Sequence, residues 1–221
     1  MQLTLTTLYQ KMLDEMGPSG WWPGDSREEI IVGAVLIQNT NWRNADQAMT
    51  LFRKTTAFDP DCLLALSTDQ LQTLVRPAGF YRNKSRALVS VFSWLREWHY
   101  DYVAIRQHYG SQLRQRLLKL RGVGQETADV LLTYIFDVPT FIADKYARTL
   151  FTQLGVANLT NYQSLARLCQ LPAGFTIDMA KDFHGQIDEF GKVYFHPLTK
   201  FQDSFLAGDR LILPPTKGVI S

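Results

Sequence analysis

Two stretches of this 221-residue chain combine residue types and spacings that could carry chemistry. From Leu117 to Leu132, two apolar helical runs flank Leu120-Arg-Gly-Val-Gly124. Gly122 and Gly124 lack Cβ atoms, so the turn can take positive φ and let another backbone approach closely. The amides that open the following helix can then grip an anion through their N–H groups and the helix dipole. Further along, Val138-Pro-Thr-Phe-Ile-Ala143 leads into Asp144, the first residue of an apolar-periodic run that ends at Leu154-Gly155. A carboxylate at a helix start is stabilised in its charged form by the dipole and nearby amides. A fixed negative charge of that kind can steady a cation that develops as a bond breaks, or orient an attacking water. Each feature also has a plainer reading. Gly-x-Gly alone fits an ordinary αα-hairpin equally well, and aspartate is a common N-cap. Capping and catalysis are compatible, since the cap fixes where the charge sits.

The elements that must position these residues read as helices. Apolar residues recur at helical spacing over Leu3–Met16, Arg27–Gln38, Trp42–Phe52, Asp61–Leu66, Thr68–Val75, Asn83–Trp98, Gln112–Leu120, Thr127–Phe136, Asp144–Leu154 and Asp178–Phe190. Ser26 or Asp25 supplies a cap for the second run, with Glu28 and Glu29 in its first turn. Sustained period-two alternation is absent, so the expected fold class is all-α. The pattern weakens from about residue 158, and Pro214-Pro215 marks a tail.

With 46% hydrophobic and 20% charged residues the chain is too apolar for a disordered protein and long enough for a real core. Its formal charge of +2 supplies no strong global field, so any basic surface must be local. Only Cys62 and Cys169 are present, which excludes a disulfide scaffold and a four-thiolate zinc or iron–sulfur site from this chain, and both are read as inert. The first residues show neither a cationic leader nor an apolar run, and no stretch reaches the roughly 18 apolar residues of a membrane span. A soluble cytoplasmic protein is the expectation.

Leu120-x-Gly-Val-Gly124 followed by Thr127-Ala128, Pro139 and Asp144 resembles the helix-hairpin-helix DNA glycosylases related to endonuclease III. Gly33-Ala-Val-Leu-Ile-Gln-Asn-Thr-Asn-Trp42 is similar to that family's helix and Gln-bearing loop, and Gly79-Phe-Tyr-Arg-Asn-Lys-Ser-Arg-Ala87 to its Gly-aromatic-x-x-x-Lys segment. With Trp21-Trp22-Pro23 and Phe183-His-Gly185, the likeness is greatest to the cluster-free, monofunctional 3-methyladenine type.

The resemblance implies two helical lobes with the active-site cleft between them. A six-helix barrel over 22–136 would carry the hairpin, and 1–21 with 137–221 would form the second domain. It implies Asp144 as the catalytic carboxylate and double-stranded, damaged DNA as the partner of a monomeric, nucleoid-associated enzyme. Bifunctional relatives carry a Schiff-base lysine where this chain has Glu126, and a carboxylate cannot form that imine. Lys145, adjacent to Asp144, points about 100° away on a helix.

Excision requires the nucleotide to be flipped into a pocket. Trp42, Trp22 and Trp21 are the candidate walls, because a cationic alkylated purine stacked on tryptophan gains about 0.5–2 kcal/mol. For Trp22 a core-anchor role is an equal alternative. Gln38 and Asn39 would fill the gap and meet the orphaned base. Gly122, Val123, Gly124 and Gln125, with Arg82 and Lys84, would contact phosphate, and Arg86 and Arg121 lie nearby. The resemblance places a monovalent cation on the main-chain carbonyls of Leu118, Leu120 and Val123, with no other cofactor. His184 either meets the pocket or packs structurally. An endonuclease III-like lyase acting on oxidised pyrimidines, and a damage-binding module without turnover, are the alternatives.

Overall fold

The computed structural model describes residues 1–22 and 24–214; Pro23 and the expected tail residue Pro215 lie outside them. The chain divides into two compact units, Met1–Trp22 with Val138–Ser221, and Pro23–Asp137. Twelve α-helices and one pair of two-residue strands are present among the described residues, so the protein is all-α.

Strand β1 (Gln2–Leu3) pairs in parallel with the distant β2 (Arg210–Leu211), and the chain then enters α1 (Leu5–Met16), capped by Thr4. In the second unit α2 (Arg27–Leu36) starts where the Ser26 hydroxyl accepts the Glu29 amide at 3.1 Å. Its residues Ile31 to Leu36 are all buried, which marks it as the axis of that unit. Glu29 is buried too, where it pairs with Arg53 and accepts the Asp25 amide at 3.0 Å. Helix α3 (Trp42–Thr56), capped by Asn41, runs on to α4 (Pro60–Ala65), capped by Asp59, and α5 (Thr68–Val75), opened by a Ser67–Gln70 capping box. Helix α6 (Tyr81–Glu97) follows a short 3₁₀ turn. Then come α7 (Tyr102–Tyr109), α8 (Leu113–Leu118) and α9 (Gln125–Tyr134). Phe52, Leu88, Phe92 and Leu131 fill this unit's core.

Back in the first unit, α10 (Lys145–Gln153), α11 (Tyr162–Ala166) and α12 (Ile177–Tyr194) lead to β2 (Arg210–Leu211). Leu8 and Met12 of α1 join Leu150 and Phe151 of α10 and Phe183, Ile187 and Phe190 of α12 in one apolar cluster. Buried Cys169 belongs to it, whereas Cys62 is exposed in the other unit.

Helices α7 and α11 have no counterpart in the periodicity, for a definite reason: each buries one side chain, Ile105 and Leu165, and one residue makes no stripe. Their starts are set by the caps Asp101 and Asn161. Among the described residues the Pro23–Asp137 unit holds the eight helices α2 to α9, of which α7 is the one the periodicity did not show. The strand pair, two residues on each side, is too short for any alternation.

Candidate functional site

The turn between α8 and α9 is built almost entirely from backbone. Gly122 sits at φ +81°, and a Cβ there would lie 2.5 Å from the Ala87 Cβ of α6. Only glycine satisfies both the conformation and the approach. The Val123 amide bonds the Leu120 carbonyl at 3.2 Å, and Gly124 opens α9 without a side-chain cap. The helix start therefore presents main-chain donors in the manner of an anion site. Beneath it, Arg114 grips Asp129 with two bonds, 2.6 and 2.9 Å. Asp129 is 2% exposed, so this pair joins the two arms from inside.

The loop after α2 meets this corner. Gln38 Nε2 donates to Thr127 Oγ1 at 2.8 Å and to the Gly122 carbonyl at 3.5 Å, while Asn39 is exposed at φ +51°. A cavity of ≈ 360 Å³ opens between Gln38, Asn39, Phe80, Asn83, Arg121 and Gly122. Phe80 is 65% exposed with φ +46°, an aromatic ring held out from the start of α6. Sequence reading assigned Phe80 no role. Its signal was an aromatic next to a turn glycine, at the foot of a helix whose apolar stripe starts later.

Lys84 corrects one expectation. It is 3% exposed, and its ammonium donates to the carbonyls of Leu36 at 2.8 Å and Ala78 at 2.7 Å. Burial lowers its pKa to about 8. Two of the amine's three donors are taken by the ends of α2 and the 3₁₀ turn, so it fixes the Gln38 loop from within instead of standing on the surface. Arg82, Arg86 and Arg121 are exposed. Trp42, 38% exposed, is the first residue of α3 in this same unit.

The other unit carries the carboxylate. Asp144 caps α10, with Oδ1 accepting the Ala147 amide at 2.7 Å. Its Oδ2 faces His184 Nε2 of α12 at 3.9 Å. Burial, reinforced by the Lys192 cation, lowers the His184 pKa to about 4, so the ring is neutral at pH 7. Trp21 meets His184 edge-to-face with centroids 5.8 Å apart, and Trp22 meets Trp21 at 5.1 Å. Lys145 is exposed.

The segment Gly17–Trp22 is strapped along one face of α12. Asp182 accepts the Ser19 amide at 2.6 Å, Gln186 donates to the Gly17 carbonyl at 3.1 Å, and Glu189 accepts the Trp21 indole N–H at 3.0 Å. Between them a Cβ on Gly185 would lie 2.4 Å from the Trp21 Cβ. Positions 182, 185, 186 and 189 form an i, i+3, i+4, i+7 stripe. That spacing was visible in the sequence, but it is polar where a core stripe is apolar, so nothing named its partner.

Sequence-assigned residues thus form two sets. Asp144, Trp21, Trp22 and His184 gather in one unit; Gln38, Asn39, Arg82, Trp42 and Gly122 to Gln125 belong to the other. Among the described residues no cluster of three or more His, Cys, Asp or Glu is placed to hold a metal. At the hairpin, Leu120 O spends one of its two acceptor sites on Val123, and carbonyls of this kind suit a hard monovalent cation.

A model of the HhH-GPD superfamily of base excision DNA repair proteins matches residues 32–173. A Methanocaldococcus jannaschii protein named as a DNA repair glycosylase is 33% identical over 190 residues, 85% of this chain and 86% of its own. The crystal structure of an H. pylori 3-methyladenine DNA glycosylase bound to 1,N6-ethenoadenine superposes with a TM-score of 0.68 at 23% identity, covering 86% of this chain and 98% of that one. A non-covalent endonuclease III–DNA complex gives 0.68 at 19% identity, covering 86% and 85%.

Proposed function

Because this chain belongs to the HhH-GPD superfamily of base excision DNA repair proteins and is a DNA glycosylase, we propose that it hydrolyses the N-glycosidic bond of alkylated purines of the 3-methyladenine kind, without lyase chemistry. The observation that carries this reading is that the chain has a carboxylate, Glu126, at one position and keeps an aspartate, Asp144, at the other. An exposed carboxylate occupies the second position of α9, where bifunctional relatives carry their lysine, while Asp144 is anchored through one oxygen at the head of α10.

As the C1′–N bond lengthens, the sugar gains oxocarbenium character and the base leaves with the bonding electrons. A preorganised carboxylate lowers that barrier and can orient the incoming water. An alkylated purine already carries positive charge, so its bond is labile and modest stacking on an indole ring, Trp42 of one unit or Trp21 and Trp22 of the other, suffices for selection.

The remaining assignments follow the same logic. The amides of Gly122 to Gln125 hold phosphate, with Arg82 and Arg121 adding charge. Gln38 exchanges its bond to Thr127 for the orphaned base, and Phe80 beside it supplies an apolar ring to the disturbed stack. A monovalent cation on the carbonyls of Leu118, Leu120 and Val123 would add electrostatic attraction for that phosphate. The unit Pro23–Asp137 is then the barrel domain, the remainder is the second domain, and the enzyme acts as a monomer.

The test is incubation with labelled duplexes carrying a methylated purine, an oxidised pyrimidine or an abasic site, resolved with and without alkali. Base loss that needs alkali for strand scission is the expected result. Direct nicking, or trapping of a covalent adduct by borohydride, would establish lyase chemistry instead; binding without base loss would establish a damage sensor.

A further inference from the structure

The groups packed around His184 bear on the charge next to Asp144. The imidazole is 10% exposed, with Nε2 3.9 Å from Asp144 Oδ2 and its ring against Trp21. Trp21 is fixed in turn: its N–H is on Glu189, and the Lys192 ammonium lies 4.9 Å from its ring centroid. Lys192 pairs with Asp188 at 2.6 Å and with Glu189 at 2.8 Å. Gly185 admits the tryptophan to this column, since any side chain there would meet it.

We propose that His184 is a positioning residue for base excision: with Trp21 and Lys192 it gives the Asp144 carboxylate an uncharged neighbour instead of a counter-cation. The proposal rests on the reading of Asp144 as the catalytic carboxylate. An imidazolium at this distance would offset the negative charge that the developing sugar cation requires. The Asp144 carboxylate at the head of α10 pulls a proton toward the ring, while Asp188 and Glu189 of α12 are held by Lys192. Tyr146 of α10 stands among the same groups as a neutral phenol, its pKa raised by burial, and the Ser19–Trp22 strap brings no charge. Against that pull stand the ring's burial and the Lys192 cation, which also occupies Asp188 and Glu189. Lys192 is therefore the controlling charge.

Two measurements on the full chain decide the matter. Imidazole nitrogen spectra, with His184 assigned by substituting the other three histidines in turn, are expected to show a neutral His184 ring at pH 6 in the wild type. Single-turnover excision against pH is expected to show an acid limb that moves up by about one pH unit or more in Lys192→Met, with the imidazolium signal appearing over the same range. Combining Lys192→Met with His184→Gln is expected to abolish that displacement. A wild-type imidazolium at pH 6, a uniform loss across pH in Lys192→Met, or a displaced limb that persists without His184 would each overturn the proposal. A structural role alone predicts the uniform loss. If no alkylated purine is excised at all, the functional reading fails, and the nitrogen spectra still decide the charge of His184.

Discussion

Gly122 and Gly185 meet the same steric demand in two regions built on opposite plans. At Gly122 the missing side chain lets a tight backbone corner lie against Ala87, and what the corner offers a ligand is main chain. At Gly185 the missing side chain lets Trp21 lie on α12, and what the station offers is side chains: a carboxylate, a neutral imidazole and indole rings. The corner closes within the consecutive elements α8 and α9, so it forms wherever that segment folds. The station joins Trp21, Asp144, His184 and Lys192, which only tertiary packing brings together. Backbone donors suit a ligand whose repeating phosphate is the same everywhere, and side chains suit a step that must recognise one base.

The largest expected break in this comparison is Asp144→Asn. It removes charge with little change of shape, so single-turnover excision should fall by about 10³-fold or more while lesion-duplex affinity stays within a few-fold. Retained excision would remove Asp144 from the chemistry. Next come the two glycines, each replaced by alanine at an expected cost of roughly 1–3 kcal/mol in denaturant unfolding. They should separate in function: Gly122→Ala weakens binding to undamaged duplex, whereas Gly185→Ala depresses excision more than binding. Identical profiles would show that the two regions do not divide the labour. A smaller effect is expected from Trp42→Ala, a loss of lesion preference of about tenfold, in line with a cation–π contribution. An equal loss on undamaged duplex would take Trp42 out of the base pocket.

The smallest effect sharpens the comparison through pH, since each region buries one base. Lys84 has its pKa lowered to about 8 and His184 to about 4, both below their ordinary values. A base with a lowered folded pKa binds fewer protons folded than unfolded, so stability rises with pH between the two values. Lys84 should produce that rise between about pH 8 and 10.5, and His184 between about pH 4 and 6.5. Lys84→Met should flatten the alkaline rise alone, as read by urea midpoints across pH, although it leaves the Leu36 and Ala78 carbonyls without their donor. An unchanged alkaline slope would show that Lys84 is not the titrating group.

Much of the site was legible before any coordinates because its signals are local. Ser26 and Asp144 each cap a helix with a side-chain oxygen, and that information lies within four residues. The glycine turn was visible for the same reason. Lys84 was misread because a lysine between two arginines looks like surface, and the two carbonyls that hold it come from other elements. Phe80 went unassigned because its exposure depends on how α6 begins.

By itself the sequence determined the all-helical class, the glycine corner before α9, the carboxylate at the head of α10 and the absence of a lysine at position 126. These are settled by spacing along a helix and by which side chains exist. Only the tertiary structure decided that Lys84 faces inward, that Trp21 lies along α12 and that Asp144 faces a buried imidazole. A proton's affinity for a ring depends on burial and on charges within a few ångströms, and that distance has no counterpart along the chain.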